Sequence, residues 1–416
     1  MNSSILTNLL RDNPVVVTGM GCFSAAGDSV AALWAAAVAG RSTAVWQEFE
    51  MGSGSRRFAV CPAPVVDISS LERHPVRKMG RCAQMAWLAA NQAWTQAQLA
   101  DACPPTQMGI AVGSSRGPLD KVNQSYGALG QPQYPPSLSA NCAFGSVGGA
   151  LAQAFNLKGP GMIISATCAS AAFAIGFAVE QILLGKADAM LAGGTEAPLQ
   201  PVILAQLHSA GVLGFHEEAG QTCRPFDATR NGLVPGEGSA FLVLEPARAA
   251  ARRGIRPLAR LAGWAVNLVG SGRTRVNEEG SGLLQVMRQA LETAGLCPEQ
   301  IDYINAHGSG TRMNDLAEAR AVGTLLGDRA ATVPCSSTKP VTGHCLGATP
   351  ALEAVIGIEA LRRGMVPPTA NCHQPDPSCA INAQPLIARP AEVSTVMSNS
   401  LGFWGYHASL IFSKPG

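Results

Sequence analysis

Short apolar runs rich in β-branched residues alternate along the chain with longer Ala-rich runs. In the first part of the chain, strands are predicted at residues 15–17, 109–112, 162–165, 189–192 and 241–244, and a helix is predicted at residues 30–39. The second part repeats the pattern, with strands predicted at residues 258–266, 301–306, 394–400 and 408–412 and helices at residues 282–294, 318–326 and 350–361. This alternation predicts an α/β protein whose buried sheets are covered by helices.

No linker rich in Pro, Ser or Gly divides the chain. We therefore expect two closely packed halves, residues 1–255 and 256–416. The longest apolar run, residues 162–184, is rich in Ala and Ser and contains Glu180. This composition favours a buried helix over a membrane span, so no association with a membrane is expected.

Charged residues make up only 14% of the chain, against about 25% in an ordinary soluble domain. The formal net charge of +2 excludes a strongly basic nucleic-acid-binding protein. The apolar fraction of 47% excludes intrinsic disorder. Such a low density of charge predicts that another subunit covers part of the surface.

The 12 cysteines include no C-x-x-C pair, which argues against zinc ribbons and thioredoxin-type redox sites. Cys372, His373 and Cys379 form a cluster, but their spacing matches no common zinc site. The segment MNSSILTNLLRDN lacks the features of a secretory signal. These observations predict a cytoplasmic protein with reduced thiols.

One cysteine lies at a predicted junction between a strand and a helix. In the segment GMIISATCASAAFAIGF, apolar residues lead into Cys168, and small residues then begin a helix. The N-terminus of a helix favours a thiolate, and small neighbours allow a substrate to approach closely. Alternatively, Cys168 is one more small buried apolar side chain.

Two histidines follow apolar segments and lie in glycine-rich loops. His307 lies in INAHGSGTRMNDLAEA, and His344 lies in CSSTKPVTGHCLGATPALEA, five residues after Lys339. Either histidine alone is more simply a structural side chain. Together with the cysteine junction, the two loops favour an active site.

These segments resemble the β-ketoacyl-acyl carrier protein synthases, the condensing enzymes of the thiolase superfamily, in their elongating Cys-His-His type. The resemblance covers nearly the whole chain, including VVVTGMGCFSAAGDS, ADAMLAGGTEA, RPFDATRNGLVPGEGSAFLVLE and NSLGFWGYHASLIF. It implies a thiolase fold: two similar βαβαβαβ halves in five layers, α-β-α-β-α, usually in a dimer. It also implies decarboxylative Claisen condensation of a cysteine-bound acyl chain with malonyl-acyl carrier protein, without a cofactor.

The resemblance also implies roles for individual residues. Cys168 would hold the acyl chain, and His307 and His344 would stabilise the enolate. The backbone N–H groups of Cys168 and Phe403 would form an oxyanion hole. Lys339 would tune the site with Glu318 as its ion partner, supported by Asp315, although a purely structural salt bridge fits these residues as well.

Further sites follow from the same resemblance. No catalytic metal is implied, but a structural monovalent cation is implied at Asn305, Glu353, Ser398 and Asn399. Arg77 and Lys78 lie in a basic run with Arg73 and Arg81, and they would dock the acidic acyl carrier protein; a solvated helix face is the alternative. The apolar side chains Met162, Ala166, Leu204 and Leu207 line an acyl tunnel or belong to the core.

The closing loop departs from the family pattern Gly-Phe-Gly-Gly-Thr-Asn. Here Phe403, the expected gate, is followed by Trp404 instead of glycine, and Leu401 replaces a common phenylalanine. Trp404 predicts a stiffer gate and a pocket for an unusual acyl chain, unless it packs harmlessly on the loop surface. This loop favours a specialised type II pathway for fatty acids, polyketides or polyenes.

Three other functions remain open at the level of the sequence. One is a housekeeping fatty-acid elongation synthase, and another is a non-catalytic chain-length partner in a heterodimer, which would normally lack Cys168. A thiolase is disfavoured because the closing loop offers Tyr406 and His407 instead of a second catalytic cysteine. The sequence does not distinguish a homodimer from a heterodimer with a related ketosynthase-like subunit.

Overall fold

A computed structural model describes residues 3–52, 54–71, 75–100, 103–270 and 278–415. Its strands are β1 (Val15–Ser24), β2 (Val45–Met51), β3 (Gly54–Val60), β4 (Met108–Gly113), β5 (Gly161–Ile164), β6 (Ala189–Glu196), β7 (Gly238–Pro246), β8 (Ala259–Leu268), β9 (Tyr303–Asn305), β10 (Cys335–Ser336), β11 (Met365–Val366), β12 (Arg389–Pro390), β13 (Thr395–Gly402) and β14 (Tyr406–Ser413). Its α-helices are α1 (Ser3–Asp12), α2 (Val30–Ala39), α3 (Arg81–Ala97), α4 (Leu119–Gly127), α5 (Ser137–Asn141), α6 (Ser146–Ala154), α7 (Ser170–Leu183), α8 (Pro201–Ser209), α9 (Ala247–Arg252), α10 (Ser281–Ala294), α11 (Arg312–Leu326), α12 (Lys339–Thr342) and α13 (Thr349–Arg363). Short 3₁₀ helices include Pro75–Lys78, Leu346–Ala348 and Phe403–Gly405.

The main sheet has ten strands and consists of two halves with the same strand pattern. Its order is β10-β9-β13-β14-β8-β1-β7-β6-β4-β5. In the first half, β5, β4 and β6 are parallel and β7 and β1 are antiparallel neighbours; in the second half, β10, β9 and β13 are parallel and β14 and β8 are antiparallel neighbours. The halves meet where β1 pairs with β8 from Val15–Leu261 to Val17–Ala259. The two halves therefore repeat one topology within a single sheet.

Helices on both faces of the halves produce five layers. Helices α3 and α6 cover the outer face of the first half, and α10, with α11 beside it, covers the outer face of the second. Helices α7 and α13 lie between the halves and contact strands of both. The packing of this central layer is close: a Cβ added to Gly176 of α7 would lie 2.7 Å from Cδ1 of Trp264 in β8. The α-β-α-β-α architecture that the resemblance implied is confirmed.

Every helix and strand predicted above overlaps an observed element. The apolar run at residues 162–184 forms β5 and α7, and within the described residues no helix is both long and apolar enough to cross a membrane. The hydrophobic pattern of the sequence did not predict helix α3 or the hairpin of β2 and β3. This hairpin is largely exposed. The buried face of α3 consists mostly of alanine, so its apolar signal is weak. The division of the chain at residue 255 stays a prediction.

Candidate active site

Cys168 lies in a sharp turn between the end of β5 and the start of α7. The preceding residue, Thr167, has a φ of 50°, in the left-handed region, and the Ser170 hydroxyl braces the turn by donating to the Thr167 carbonyl oxygen at 2.6 Å. The closing loop, residues 401–405, packs closely against this turn. A Cβ added to Gly402 would lie 2.0 Å from Oγ1 of Thr167 and 3.2 Å from the Cys168 nitrogen. Only glycine therefore fits at position 402.

The thiol of Cys168 is buried, and this burial dominates its ionisation. Burial raises the pKa of Cys168 to about 12, while the positive charges of Lys339 and Arg116 act in the opposite direction. The sequence expectation of a thiolate stabilised at the helix N-terminus is therefore wrong. The thiol is the resting form at neutral pH.

His307 follows β9 and is held by charged groups on both sides. The Glu318 carboxylate accepts from the backbone N–H of His307 at 2.8 Å and of Gly308 at 2.7 Å. Nζ of Lys339 donates to the His307 carbonyl oxygen and lies 3.5 Å from Nδ1 of the ring. An ammonium group can only donate, so Nδ1 is the acceptor and the proton of the ring is on Nε2.

The ion partner of Lys339 is Glu353, at 2.6 Å, and the expected pair with Glu318 is wrong. Glu318 lies on α11 and uses its oxygens to fix the loop of His307, whereas Glu353 reaches Lys339 from α13. Burial raises the pKa of both carboxyl groups to about 7, with Lys339 acting against it. The predicted supporting residue Asp315 accepts from the N–H groups of Phe226, at 2.9 Å, and Gly310, at 3.1 Å.

His344 presents the same tautomer as His307. Its Nδ1 accepts from the backbone N–H of Leu346 at 3.2 Å and lies 3.2 Å from the hydroxyl of Thr349, so Nε2 carries the proton. The two rings lie edge to face with centroids 5.3 Å apart. Burial, reinforced by the charge of Lys339, holds the pKa of both histidines well below the usual range. Both imidazoles are therefore neutral N–H donors at pH 7.

Glu196 at the end of β6 organises the cavity, and sequence reasoning assigned it no role. It accepts from the N–H groups of Ser115 at 2.6 Å, Arg116 at 3.0 Å and Gly347 at 3.1 Å, and from the hydroxyl of Ser114 at 3.1 Å. It thus ties the loop after β4 to the loop of His344. Burial raises the pKa of Glu196 to about 7. Its position within the quoted segment ADAMLAGGTEA, at the end of a strand, was the available signal.

Cys168, His307 and His344 line one cavity of about 950 Å³, together with the closing loop from Leu401 to Gly405. Lys339 is fully buried behind the histidines and is not part of the lining. His407 also lines the cavity, and burial lowers its pKa to about 4.

The closing loop combines a buried and an exposed side. Leu401 is buried, the carbonyl oxygen of Phe403 accepts from the Thr167 hydroxyl at 3.3 Å, and Trp404 is 52% exposed. Trp404 has a φ of 67°, in the left-handed region that favours glycine. A tryptophan thus occupies a position whose backbone conformation favours glycine, the residue in the family pattern.

The four residues of the expected cation site are neighbours in the structure. Asn305 of β9 pairs with Ser398 of β13, its side-chain amide donates to the Glu353 carbonyl oxygen at 3.2 Å, and Asn399 follows Ser398. Oδ1 of Asn305, Oε2 of Glu353 and Oγ of Ser398 are buried oxygen atoms without a hydrogen-bond partner in the described part of the chain. Oδ1 of Asn399 is already bonded to the Ser409 hydroxyl at 3.0 Å. Three unpartnered hard oxygen atoms fit a cation, since buried oxygen atoms are normally paired.

The remaining sequence candidates divide clearly. Arg77 and Lys78 are exposed at the end of the 3₁₀ helix Pro75–Lys78. Arg81 is paired with Glu237 at 2.8 Å, and Arg73 lies outside the described residues.

The residues predicted to line an acyl tunnel lie in different places. Leu207 lines the cavity, Leu204 packs in a separate cluster with Phe49 and Phe58, and Met162 is exposed on β5. Among the described residues, no group of three or more His, Cys, Asp or Glu side chains is arranged to hold a metal ion. The hypothesis of a zinc site at Cys372, His373 and Cys379 is therefore not supported.

This fold and cavity define a condensing enzyme built on the thiolase architecture. Residues 12–250 match the family Beta-ketoacyl synthase, N-terminal domain, and residues 258–373 match Beta-ketoacyl synthase, C-terminal domain. The chain belongs to the β-ketoacyl synthase family, and the resemblance inferred from its motifs is confirmed. Members of this family are acyltransferases that form carbon–carbon bonds.

Individual relatives come from both fatty-acid and polyketide systems. The chain is 35% identical over 411 residues to 3-oxoacyl-[acyl-carrier-protein] synthase 2 of Coxiella burnetii, covering 96% of this chain and 98% of the relative. It is 34% identical over 423 residues to the oxytetracycline polyketide putative β-ketoacyl synthase 1 of Streptomyces rimosus, covering 97% of each. Among solved structures, the ishigamide ketosynthase/chain length factor has a TM-score of 0.88 and 30% identity, covering 97% of this chain and 100% of that one.

Proposed function

We propose that this β-ketoacyl synthase condenses a Cys168-bound acyl chain with malonyl-acyl carrier protein, releasing carbon dioxide and 3-oxoacyl-acyl carrier protein. The observation that carries the proposal is the joint presence in one cavity of a cysteine in a sharp turn and two neutral histidines that present Nε2–H. A non-catalytic chain-length partner would not need this set of side chains.

In the first step, Sγ of Cys168 attacks the thioester carbonyl of the incoming acyl chain. The thiol is un-ionised, so its proton must leave as the bond forms and passes to the departing thiolate of the carrier. The backbone N–H groups of Cys168 and Phe403 stabilise the negative oxygen of the tetrahedral intermediate. The contact of the closing loop with the turn of Cys168 supports this pairing of the two groups.

In the second step, malonyl-acyl carrier protein loses carbon dioxide and its thioester carbonyl becomes an enolate. His307 and His344 donate their Nε2–H protons as hydrogen bonds to the enolate oxygen, which stabilises the charge without a metal ion. The enolate carbon then attacks the acyl carbonyl and the bond from that carbonyl to Sγ of Cys168 breaks. The departing thiolate takes up a proton from water, which restores the thiol. Neutral donors suit this step because neither imidazole needs to transfer its proton.

Lys339, Glu318 and Asp315 act as positioning residues. Lys339 keeps the proton of His307 on Nε2, Glu318 fixes the backbone of its loop, and Asp315 fixes the neighbouring turn at Gly310. A monovalent cation bound by Asn305, Glu353 and Ser398 would coordinate these unpartnered oxygen atoms and play a structural part. An increase in the melting temperature in potassium over tetramethylammonium chloride, lost in Ser398→Val, tests this cation.

Phe403 and Trp404 act as the gate of the cavity, with Leu401 as its buried anchor. The gate controls entry of the acyl chain, and the left-handed conformation at Trp404 restricts its movement. This feature supports a specialised type II fatty-acid, polyketide or polyene pathway over housekeeping elongation. The similar identities to the fatty-acid and polyketide relatives are compatible with either pathway.

Arg77 and Lys78 dock the acidic acyl carrier protein, since both are exposed cations on one short helix. A second, related subunit covers the edge strand β5, either as a homodimer or as a heterodimer like the ketosynthase/chain length factor among the structural neighbours. All 12 cysteines are free, which supports a reducing, cytoplasmic location.

The test uses purified protein, acyl-acyl carrier protein and malonyl-acyl carrier protein with a labelled free carboxyl group. We expect a stable acyl adduct on Cys168 by mass spectrometry, release of labelled carbon dioxide and formation of 3-oxoacyl-acyl carrier protein. Cys168→Ala should abolish the adduct and the product, whereas the matched control Cys297→Ala, at an exposed cysteine, should retain both. A wild-type protein that forms neither adduct nor product would instead be the chain-length partner.

A further inference from the structure

Arg116 extends from a loop that the structure holds firmly beside the cysteine. The loop follows β4, and its backbone is fixed because Glu196 accepts from the N–H groups of Ser115 and Arg116. Arg116 lines the same cavity as Cys168, and its charge acts on the cysteine thiol. The side chain of Arg116 therefore lines the cavity of Cys168, and the backbone that carries it is held in place by Glu196.

The side chain of Arg116 is unpartnered within the described part of the chain. Its Nε is buried without a hydrogen bond, and no ion pair or side-chain hydrogen bond of Arg116 occurs among the described residues. Arg116 is half-buried, and the fully buried arginines differ from it because their guanidinium groups have partners. Arg230 pairs with Asp376 at 2.5 Å, although its own Nε also lacks a hydrogen bond in the described structure, and Arg224 donates to the carbonyl oxygen of Thr229 at 3.0 Å. A buried donor without an acceptor is costly, which makes the cavity incomplete without a ligand that accepts.

The neighbouring wall is apolar, which makes a charged group at this place notable. Cys168 clusters with Ile203, Leu207 and Leu346, and Leu119, three residues after Arg116, packs against this cluster. A saturated acyl chain would pack well against this apolar wall. However, it would displace water from the guanidinium group and offer no hydrogen-bond acceptor in its place. An acyl chain with an oxygen atom close to its thioester would both fill the wall and satisfy the arginine.

Glu196 cannot be this acceptor, because its oxygens already bind the N–H groups of Ser115, Arg116 and Gly347 and the hydroxyl of Ser114. Its carboxylate serves the backbone of the loop, and no ion pair joins it to the guanidinium group. Among the residues that the structure describes, no acceptor for this side chain remains, so the acceptor must enter the cavity from outside.

We propose that Arg116 is a specificity-determining residue that donates hydrogen bonds to an oxygen substituent near the thioester of the bound acyl chain. The preferred substrates are then 3-oxoacyl or 3-hydroxyacyl chains over saturated chains of equal length. This inference rests on the proposed condensing activity and specifies its substrate class.

The experiment compares octanoyl-, 3-oxooctanoyl- and 3-hydroxyoctanoyl-acyl carrier protein as donors of the acyl chain to Cys168. The rate of adduct formation is followed by intact-protein mass spectrometry for wild type, Arg116→Leu and Arg116→Lys. We expect wild type to prefer both oxygenated chains by about tenfold or more, as for a hydrogen bond to a charged donor. Arg116→Leu should remove or invert the preference, and Arg116→Lys should retain part of it because the charge remains.

The ratio between substrates is the decisive quantity. Removing Arg116 also removes a positive charge near Cys168, which changes the acylation rate with every donor but cancels in the ratio. The matched control Arg248→Leu, on the exposed side of α9, should leave the ratio as in wild type. An unchanged ratio in Arg116→Leu, or a uniform loss of rate accompanied by loss of oligomer, overturns the proposal. Absence of adduct with all three donors in wild type would instead contradict the proposed condensing activity.

Discussion

Hydrogen-bond donation by two neutral imidazoles is the residue-level feature on which the proposed chemistry depends. Lys339 fixes the tautomer of His307, and the N–H of Leu346 fixes that of His344. Each ring is thereby oriented before substrate arrives, so little reorganisation is needed as negative charge develops. This arrangement separates the role of the histidines in decarboxylation from the role of Cys168 in acyl transfer.

Removing one donor should therefore affect one step only. His344→Ala is expected to reduce carbon dioxide release from malonyl-acyl carrier protein by about 100-fold or more, the typical effect of losing one oxyanion donor. The acyl adduct on Cys168, measured by mass spectrometry, should still form. The control His373→Ala, at an exposed histidine near Gln221, should change neither step. An equal loss of both steps would contradict the division of roles.

The raised pKa of Cys168 gives a prediction with a definite sign. With a pKa near 12, the thiolate fraction increases about tenfold per pH unit, so alkylation by iodoacetamide should accelerate steadily from pH 7 to pH 10. Mass spectrometry after digestion gives the rate at Cys168, with the exposed Cys297 measured in the same samples. A plateau at Cys168 below pH 9 would restore the thiolate that the sequence alone predicted.

The buried pair of Lys339 and Glu353 should matter for stability more than any exposed pair. Lys339→Met leaves Glu353 without its cation and is expected to lower the free energy of unfolding by about 3 kcal/mol. Arg320→Met, which breaks the exposed pair with Glu279, should cost less than about 1 kcal/mol. Urea denaturation of both variants measures the difference, and equal losses would contradict the importance of burial.

The sequence was sufficient to predict the cysteine and the two histidines that line the cavity, but not their partners. Cys168, His307 and His344 could be predicted because each one stands next to an apolar run and to glycine or other small residues. This pattern is local in the sequence. The ion partner of Lys339 could not be predicted in this way, because Glu318 and Glu353 lie on different helices and both reach the same region. The ionisation of Cys168 was misjudged for the same reason: burial depends on the whole fold, whereas the helix N-terminus is visible locally.

At the level of elements, the closing loop between β13 and β14 is the most distinctive part of the molecule. Trp404 occupies a left-handed conformation that costs a non-glycine residue roughly 1–2 kcal/mol, and half of its side chain is exposed. The sequence shows that a tryptophan replaces the family glycine, and the structure adds that this tryptophan adopts a left-handed backbone conformation that favours glycine. The hypothesis of a stiffer gate thus acquires a physical cause.

Two substitutions separate backbone conformation from side-chain bulk at this position. Trp404→Gly removes both the strain and the bulk, whereas Trp404→Ala removes the bulk and keeps the strain. We expect Trp404→Gly to be the more stable of the two by about 1 kcal/mol and to accept a broader range of acyl chain lengths. Thermal unfolding and chain-length profiles measure these effects, and identical profiles for wild type and both variants would contradict a gating role.

For the whole molecule, the low charge density and the exposed edge of the sheet point to the same surface. Strand β5 ends the ten-stranded sheet, and its Met162 is 45% exposed. Exposed aromatic side chains occur in the part of the chain that precedes β5, including Tyr126, Tyr134 and Phe144. A free edge with apolar side chains is a ready surface for pairing with another chain. The small number of charged residues can thus be related to a particular surface, the one around β5, which composition alone could not identify.

This surface predicts an oligomer that a single substitution weakens. Met162→Asp places a charge on the edge strand, so sedimentation should change from a dimer of the 42.9 kDa chain to monomer at micromolar concentration. The control Ile387→Asp, at a 71% exposed isoleucine outside this segment, should leave the dimer intact. If the wild-type chain is monomeric alone but dimeric with a related subunit, the same substitution should prevent that heterodimer. A dimer that persists unchanged in Met162→Asp would place the interface elsewhere, and the low charge density would then need a different explanation.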